Sequence, residues 1–244
     1  MKTLIIIPSR LSATRLPGKP LLKINGLSII SHVFKKAEEA SIGEVIVAAE
    51  DQEIVDDVIQ NGGEAILTHN NHKTGTDRIF EALNKLGKSN VELVMNLQGD
   101  EPLMNINDIR NLHKHMISSK SGLGTLASII KDNELYKNQN VVKVKTNEKL
   151  SSINFIEALN FERKISTNSE NIYHHLGIYC YQVETLRNFI SYEQSKNEIK
   201  KKLEQMRAID NNIKINVALA ESSPIGVDTK EDFVAIKKII EYKN

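Results

Sequence analysis

Three cations share one short loop of this sequence: Arg10, Arg15 and Lys19 fall within Ser9–Leu21, together with Ser12, Thr14 and Gly18. Guanidinium, ammonium, hydroxyl and closely approaching backbone N–H groups are what a triphosphate needs from a protein. Pro17 and Pro20 stiffen the segment, and Gly18 between them permits backbone conformations that other residues resist. A solvated basic loop has no need of that bracketing. The apolar run Leu4–Ile7 leads directly into it, and ligands of open α/β sheets bind beyond the carboxyl ends of strands.

A second strand exit carries the complementary charge. Leu93–Met95 leads into Asn96-Leu97-Gln98-Gly99-Asp100-Glu101-Pro102. A carboxylate there, beside a glycine and facing the cationic loop, is placed to hold Mg²⁺ against a phosphate, which makes Asp100 the candidate metal ligand. Gln98 offers both a donor and an acceptor to a sugar. Two further segments open helices. In Thr74-Gly75-Thr76-Asp77-Arg78, Thr76 is a candidate cap, and the free N–H groups beyond it suit a base edge or phosphate as readily as a plain cap. In Gly226-Val227-Asp228-Thr229, either Asp228 or Thr229 could cap the helix that follows, and spacing alone favours that structural role.

Two other motifs fail on context. Gly122-Leu123-Gly124-Thr125-Leu126-Ala127 fits the dinucleotide fingerprint, but a helix precedes it and a strand follows, the reverse of the required order. Gly87-Lys88-Ser89 ends a helix instead of opening one, and Ala82 stands where a Walker motif needs glycine.

The elements that must position these groups alternate. After Leu4–Ile7, the periodicity predicts helices near 28–40, 52–60 and 76–86 and strands at 44–49, 65–68 and 93–97, which is the pattern of a parallel sheet covered by helices. From about Gly124 the rhythm changes. Strands are expected at 125–130, 141–144, 178–181 and 213–219, a charged helix at 195–207 and a closing amphipathic helix at 230–242. The expected architecture is α/β: one domain over 1–244 with a mainly parallel sheet and a mixed subdomain within about 125–215.

Composition narrows the function. Lys plus Arg (32) nearly cancels Asp plus Glu (31), so the net charge gives no support to a diffuse nucleic-acid surface. The single cysteine, Cys180, excludes an internal disulfide and sits in an apolar stretch as core packing. The apolar run at the start is too short for a signal peptide or membrane span, so a soluble, cytoplasmic protein with no membrane partner is expected.

Taken together, Pro8-Ser9-Arg10, Thr14-Arg15-Leu16-Pro17-Gly18-Lys19-Pro20, Thr74–Arg78, Gln98–Pro102, His175-Leu176-Gly177-Ile178-Tyr179 and Gly226–Thr229 resemble the 3-deoxy-manno-octulosonate cytidylyltransferases. The motifs are several residues long, come in the family's order and span nearly the whole chain. The resemblance implies a Rossmann-like core, a dimerisation subdomain, a homodimer, Mg²⁺ dependence and two substrates, CTP and an acidic eight-carbon sugar. By the same resemblance, Arg10 and Lys19 grip the phosphates, with Ser12 and Arg15 of the same loop as further nucleotide-binding candidates, and Thr74, Gly75 and Arg78 help to seat the cytosine and ribose. Asp100 and Asp228 bind Mg²⁺, while Gln98, His175, Tyr179, Glu204 and Gln205 line the sugar pocket. Arg10, Lys19 and Asp100 then carry the catalysis, an attack of the sugar's anomeric hydroxyl on the α-phosphorus of CTP.

One departure stands out. Where the family usually has Phe-Ser-Arg followed shortly by Ile-Pro, this chain reads Phe155-Ile156-Glu157-Ala158-Leu159-Asn160. A carboxylate in place of a cation suits a sugar bearing an ammonium group, which points Glu157 at the 8-amino-3,8-dideoxy octulosonate. The alternatives are a sialic acid-type cytidylyltransferase, a non-catalytic protein that binds CTP or a nucleotide sugar, and a nucleotide-sugar glycosyltransferase. The last lacks the expected Asp-x-Asp pair at the strand end.

Overall fold

The computed structural model describes residues 1–12, 15–165 and 170–242; Thr14 of the cationic loop lies outside them. Two compact units divide the chain. One comprises residues 2–91, 95–106 and 224–244, and the other residue 1, residues 92–94 and residues 107–223.

The first unit is built on β1 (Thr3–Ser9), whose Leu4, Ile5, Ile6 and Ile7 are all buried, as a strand covered on both faces requires. A small hairpin follows, β2 (Lys23–Ile24) and β3 (Leu27–Ser28), turned by Asn25 and Gly26 at φ 48° and 79°. Ser28 then caps α1 (Ile29–Glu39), its hydroxyl accepting from Ser31 N. β4 (Glu44–Ala49) runs parallel to β1 with Leu4 opposite Glu44 and Ser9 opposite Ala49. After α2 (Gln52–Gln60) comes β5 (Ala65–Leu67), parallel to β4. α3 (Gly75–Leu86) starts one residue earlier than the periodicity predicts. Thr74 and Asp77, not Thr76, form its capping box, because Thr74 is the extended residue whose hydroxyl reaches the N–H of Asp77; Thr76 lies inside the first turn and is buried. β6 (Leu93–Asn96) ends beside β1, where Leu97 N donates to Ile6 O at 3.3 Å. A Cβ at Gly99 would lie 2.9 Å from Pro8 O, so the turn after β6 approaches β1 as only glycine can.

The second unit takes up most of α4 (Ile106–Ser119) and then a mixed set: β7 (Leu123–Ser128), the single turn α5 (Glu134–Lys137), β8 (Lys143–Thr146), β9 (Ile156–Glu162) and β10 (Ile172–Gln182). After α6 (Val183–Ser191), α7 (Lys196–Lys201) and α8 (Met206–Asp210) comes β11 (Asn216–Leu219). β10 pairs with β7, β7 with β11, β11 with β9, β9 with β8, and β8 again with β10, which closes a five-stranded ring. This unit reaches beyond the expected 125–215 span at both ends. β10 begins six residues before the predicted strand, because Tyr173, His174 and His175 break the apolar run without breaking the ladder. The one charged helix expected over 195–207 is instead two. Lys202, at φ 54°, ends α7 in a left-handed turn, and Arg207 folds back to pair with Glu198, both buried. The closing helix α9 (Lys230–Tyr242) returns to the first unit.

Candidate active site

The exits of β1 and β6 and the start of α3 enclose a cleft of ≈ 430 Å³ in the first unit, within the usual range for small-molecule sites. Every nucleotide and metal candidate described there reaches it: Arg10, Ser12, Arg15 and Lys19 from the first loop, Thr74, Gly75 and Arg78 from α3, Asp100 after β6, and Asp228 before α9. Gln98, read as a sugar contact, lines the same cleft.

Its electrostatic centre is Lys19. The ammonium lies 2.5 Å from Asp100 Oδ2 and 3.5 Å from Asp228 Oδ1, and Arg15 reaches Asp228 Oδ2 at 3.0 Å. Asp228 is free for this because the capping falls to its neighbours. Thr229 Oγ1 accepts from Asp232 N, and the Asp232 carboxylate accepts from the N–H groups of Asp228 and Thr229. A backbone bond from Val227 N to Asp100 O, 2.8 Å, holds the two acidic segments together. Burial, and after it the neighbouring Asp100 and Asp228, pushes the Glu101 carboxyl up to about 8, against the opposing charge of Lys19.

That donor set fits Mg²⁺. Two carboxylates already converge on one cationic group, and among the described residues no cluster of three or more His, Cys, Asp or Glu is arranged to hold a metal ion. Mg²⁺ characteristically takes one or two carboxylates and completes its shell with water and substrate phosphates.

Arg78 is buried, its guanidinium paired with Glu50 and donating to Thr68 Oγ1 (2.6 Å) and His69 O (3.2 Å). Glu50 also accepts from Ser12 Oγ at 3.1 Å, so the cationic loop and the approach to α3 are braced against each other. Sequence reasoning missed this brace, and also His72 and Lys73, which line the cleft just before Thr74. Their only signal was adjacency to the Thr74–Arg78 run.

The remaining sugar candidates lie in the second unit. His175 is buried on β10, 3.0 Å from Thr125 Oγ1, with its ring 5.0 Å from that of Phe161 and 5.4 Å from that of Tyr179. Burial pushes its imidazole down to about 3, so it is neutral at ordinary pH. Tyr179 is raised well above its usual range by burial, by Tyr181 and by Glu204, which places Glu204 near it. Gln205 is buried beside Met206 at the start of α8. Glu157 stands on β9 with its carboxylate 3.1 Å from the exposed Lys214 ammonium.

Comparison with known proteins agrees with this chemistry. A family model described as "Cytidylyltransferase" matches residues 4–215. The 3-deoxy-manno-octulosonate cytidylyltransferase of Nitrobacter winogradskyi is 40% identical over 98% of this chain and 94% of its own. The structure of a CMP:2-keto-3-deoxy-manno-octonic acid synthetase complexed with CTP superposes with a TM-score of 0.90 at 32% identity, covering 100% of both chains. A UDP-glucose pyrophosphorylase, at 12% identity and a TM-score of 0.73, shares the fold over the full length of both chains.

Proposed function

The chain belongs to the cytidylyltransferases, among the 3-deoxy-manno-octulosonate enzymes, and on that premise we propose that it joins CMP from CTP to an acidic eight-carbon sugar and releases pyrophosphate, a step in lipopolysaccharide synthesis. The observation that carries the reading is the meeting of Lys19, Asp100 and Asp228 at the mouth of a cleft lined by further cations. Arg10 and Arg15 bind and orient the phosphates, whose charge they offset. Lys19 moves from the carboxylates to the phosphates as nucleotide enters, which frees Asp100 and Asp228. Mg²⁺ held by that pair would supply Lewis acidity at the α-phosphate. Gln98 and the turn it shares with Asp100 position the sugar, so that its anomeric oxygen forms a bond to the α-phosphorus as the bond to pyrophosphate breaks.

The finer points rest on particular observations. Glu157 is a half-buried carboxylate that a sugar ammonium could pair with in place of the exposed Lys214, which is the basis for an 8-amino sugar as its partner. Ile129, Ile153 and Leu159 of the second unit are exposed apolar side chains of the kind that a homodimer interface covers. No helix among the described residues is long and apolar enough to cross a membrane. A cytoplasmic site of action suits the use of CTP.

Purified protein supplied with CTP, Mg²⁺ and either the octulosonate or its 8-amino analogue should release pyrophosphate in proportion to CMP-sugar formed. CTP binding without release from either sugar would replace this reading with the non-catalytic one. Sedimentation at micromolar concentration tests the dimer.

A further inference from the structure

The loop that precedes α3 is fastened to the helix by one carboxylate. Glu81, on the second turn of α3 and 14% exposed, accepts from His69 N at 3.0 Å, pairs with the His72 ring, and meets the Lys85 ammonium at 2.6 Å. Lys85 in turn donates to Leu67 O at 3.0 Å, so the whole run from the end of β5 to His72 is tied to one face of the helix. On the other side of Lys73, Thr74 is fixed by its reciprocal capping bonds with Asp77. Lys73 is thus an exposed residue between two anchored neighbours. It lines the cleft, and its ammonium makes no ion pair with the described residues.

The cleft gives such a cation a purpose. Lys19 and Arg15 are engaged by Asp100 and Asp228, and Arg78 by Glu50. Of the cations lining the cleft, Lys73 and Arg10 alone are without a carboxylate partner among the described residues. Arg15 and Lys19 must exchange carboxylate partners to reach a triphosphate, whereas a lysine with no such partner can bring a point charge to it from the cleft rim at no such cost. A flexible lysine loses rotamer entropy on doing so, and anchored neighbours reduce the backbone share of that cost.

We infer that Lys73 is a further nucleotide-binding residue, contacting the phosphates of CTP, and that Glu81 is the positioning residue that holds Lys73 at the cleft. The inference rests on the proposed CTP-dependent reaction. Glu81 is ionised throughout the working range, its carboxyl held down to about 2 by Lys85, His72 and the His69 N–H against the opposing effect of burial.

Steady-state kinetics on the full chain test it. Lys73→Met should raise the KM for CTP about two- to fivefold, the upper part of the range for one exposed charge contact, with kcat and the sugar KM within about twofold of wild type. The increase should shrink as salt is added. Lys73→Arg should restore most of the affinity. Glu81→Gln should raise the same KM by a similar factor, and the double variant should be no worse than either single variant, since Glu81 acts through Lys73. A CTP KM within twofold of wild type in Lys73→Met, or effects that multiply in the double variant, would overturn the inference. If the wild type turns over no CTP, the parent reading fails instead, and calorimetric CTP binding by the same variants decides Lys73 on its own.

Discussion

His175 makes a quantitative prediction about stability. Its imidazole is fully enclosed, touches two aromatic rings and Thr125, and is pushed down to about 3, whereas the same group in an unfolded chain titrates near ~6.5. Between those values the unfolded state binds a proton that the folded state refuses, so stability is lost as pH falls from ~6.5 toward 3. Each pH unit in that window costs about 1.4 kcal/mol, which gives a penalty of about 2 kcal/mol at pH 5 relative to pH 7.5. His175→Gln keeps a partner for Thr125 and cannot titrate. Urea denaturation of wild type and variant at the two pH values isolates the term, because His113, His115 and His174, also lowered by burial, contribute equally to both proteins. The variant should lose about 2 kcal/mol less than wild type on acidification. Equal losses would show that His175 is not held neutral, and that its environment is more polar than the rings around it imply.

Asp100→Asn should lower kcat about 100-fold or more while CTP affinity changes only a few-fold, measured by pyrophosphate release and calorimetry; an unchanged kcat would remove Asp100 from the machinery. Chelation by EDTA should abolish turnover and added Mg²⁺ restore it, and activity that survives chelation would count against a metal at Asp100 and Asp228. Arg207→Met should destabilise by about 3–5 kcal/mol in urea, since it leaves the Glu198 carboxylate buried without its bidentate partner and removes the contact of Arg207 with the Phe189 ring, 4.7 Å away. Converting Glu198 to Gln in the same chain should recover part of the loss. Glu157→Arg should shift the kcat/KM ratio of 8-amino to 8-hydroxy sugar toward the hydroxy form; Lys214→Met, which frees Glu157, should shift it the other way.

The first unit was legible because its strands announce themselves. Leu4–Ile7 and Glu44–Ala49 are unbroken apolar runs, and such runs have one natural home, the middle of a parallel sheet. The cation loop and Asp100 followed from standing at strand exits. Asp228 was ambiguous in one dimension, since whether a carboxylate caps a helix or faces a ligand depends on whether a neighbour takes the cap, and here Thr229 and Asp232 do. β9 was hidden by its mixed surface, with Ala158 and Phe161 buried and Leu159 exposed. The break at Lys202 leaves no mark in sequence, because a lysine in the left-handed region is tolerated only where tertiary contacts impose it. Lys73 and Glu81 escaped notice for a related reason. One is an unremarkable loop lysine and the other a helix-surface glutamate until the fold sets the loop against the helix.

Among the described residues each of the five strands of the ring in the second unit has a strand partner on both sides over at least part of its length, so the ring presents little open row of N–H and C=O groups for another chain to extend. Any chain docking on this ring would be held mainly by side chains, whose identity can change without disturbing the ladder. The same closure guards the half-made protein. β7 and β11 lie far apart in sequence, so until they meet the ring is an open sheet with exposed edges, and the interval before that pairing is when a crowded cell has most reason to shield the chain.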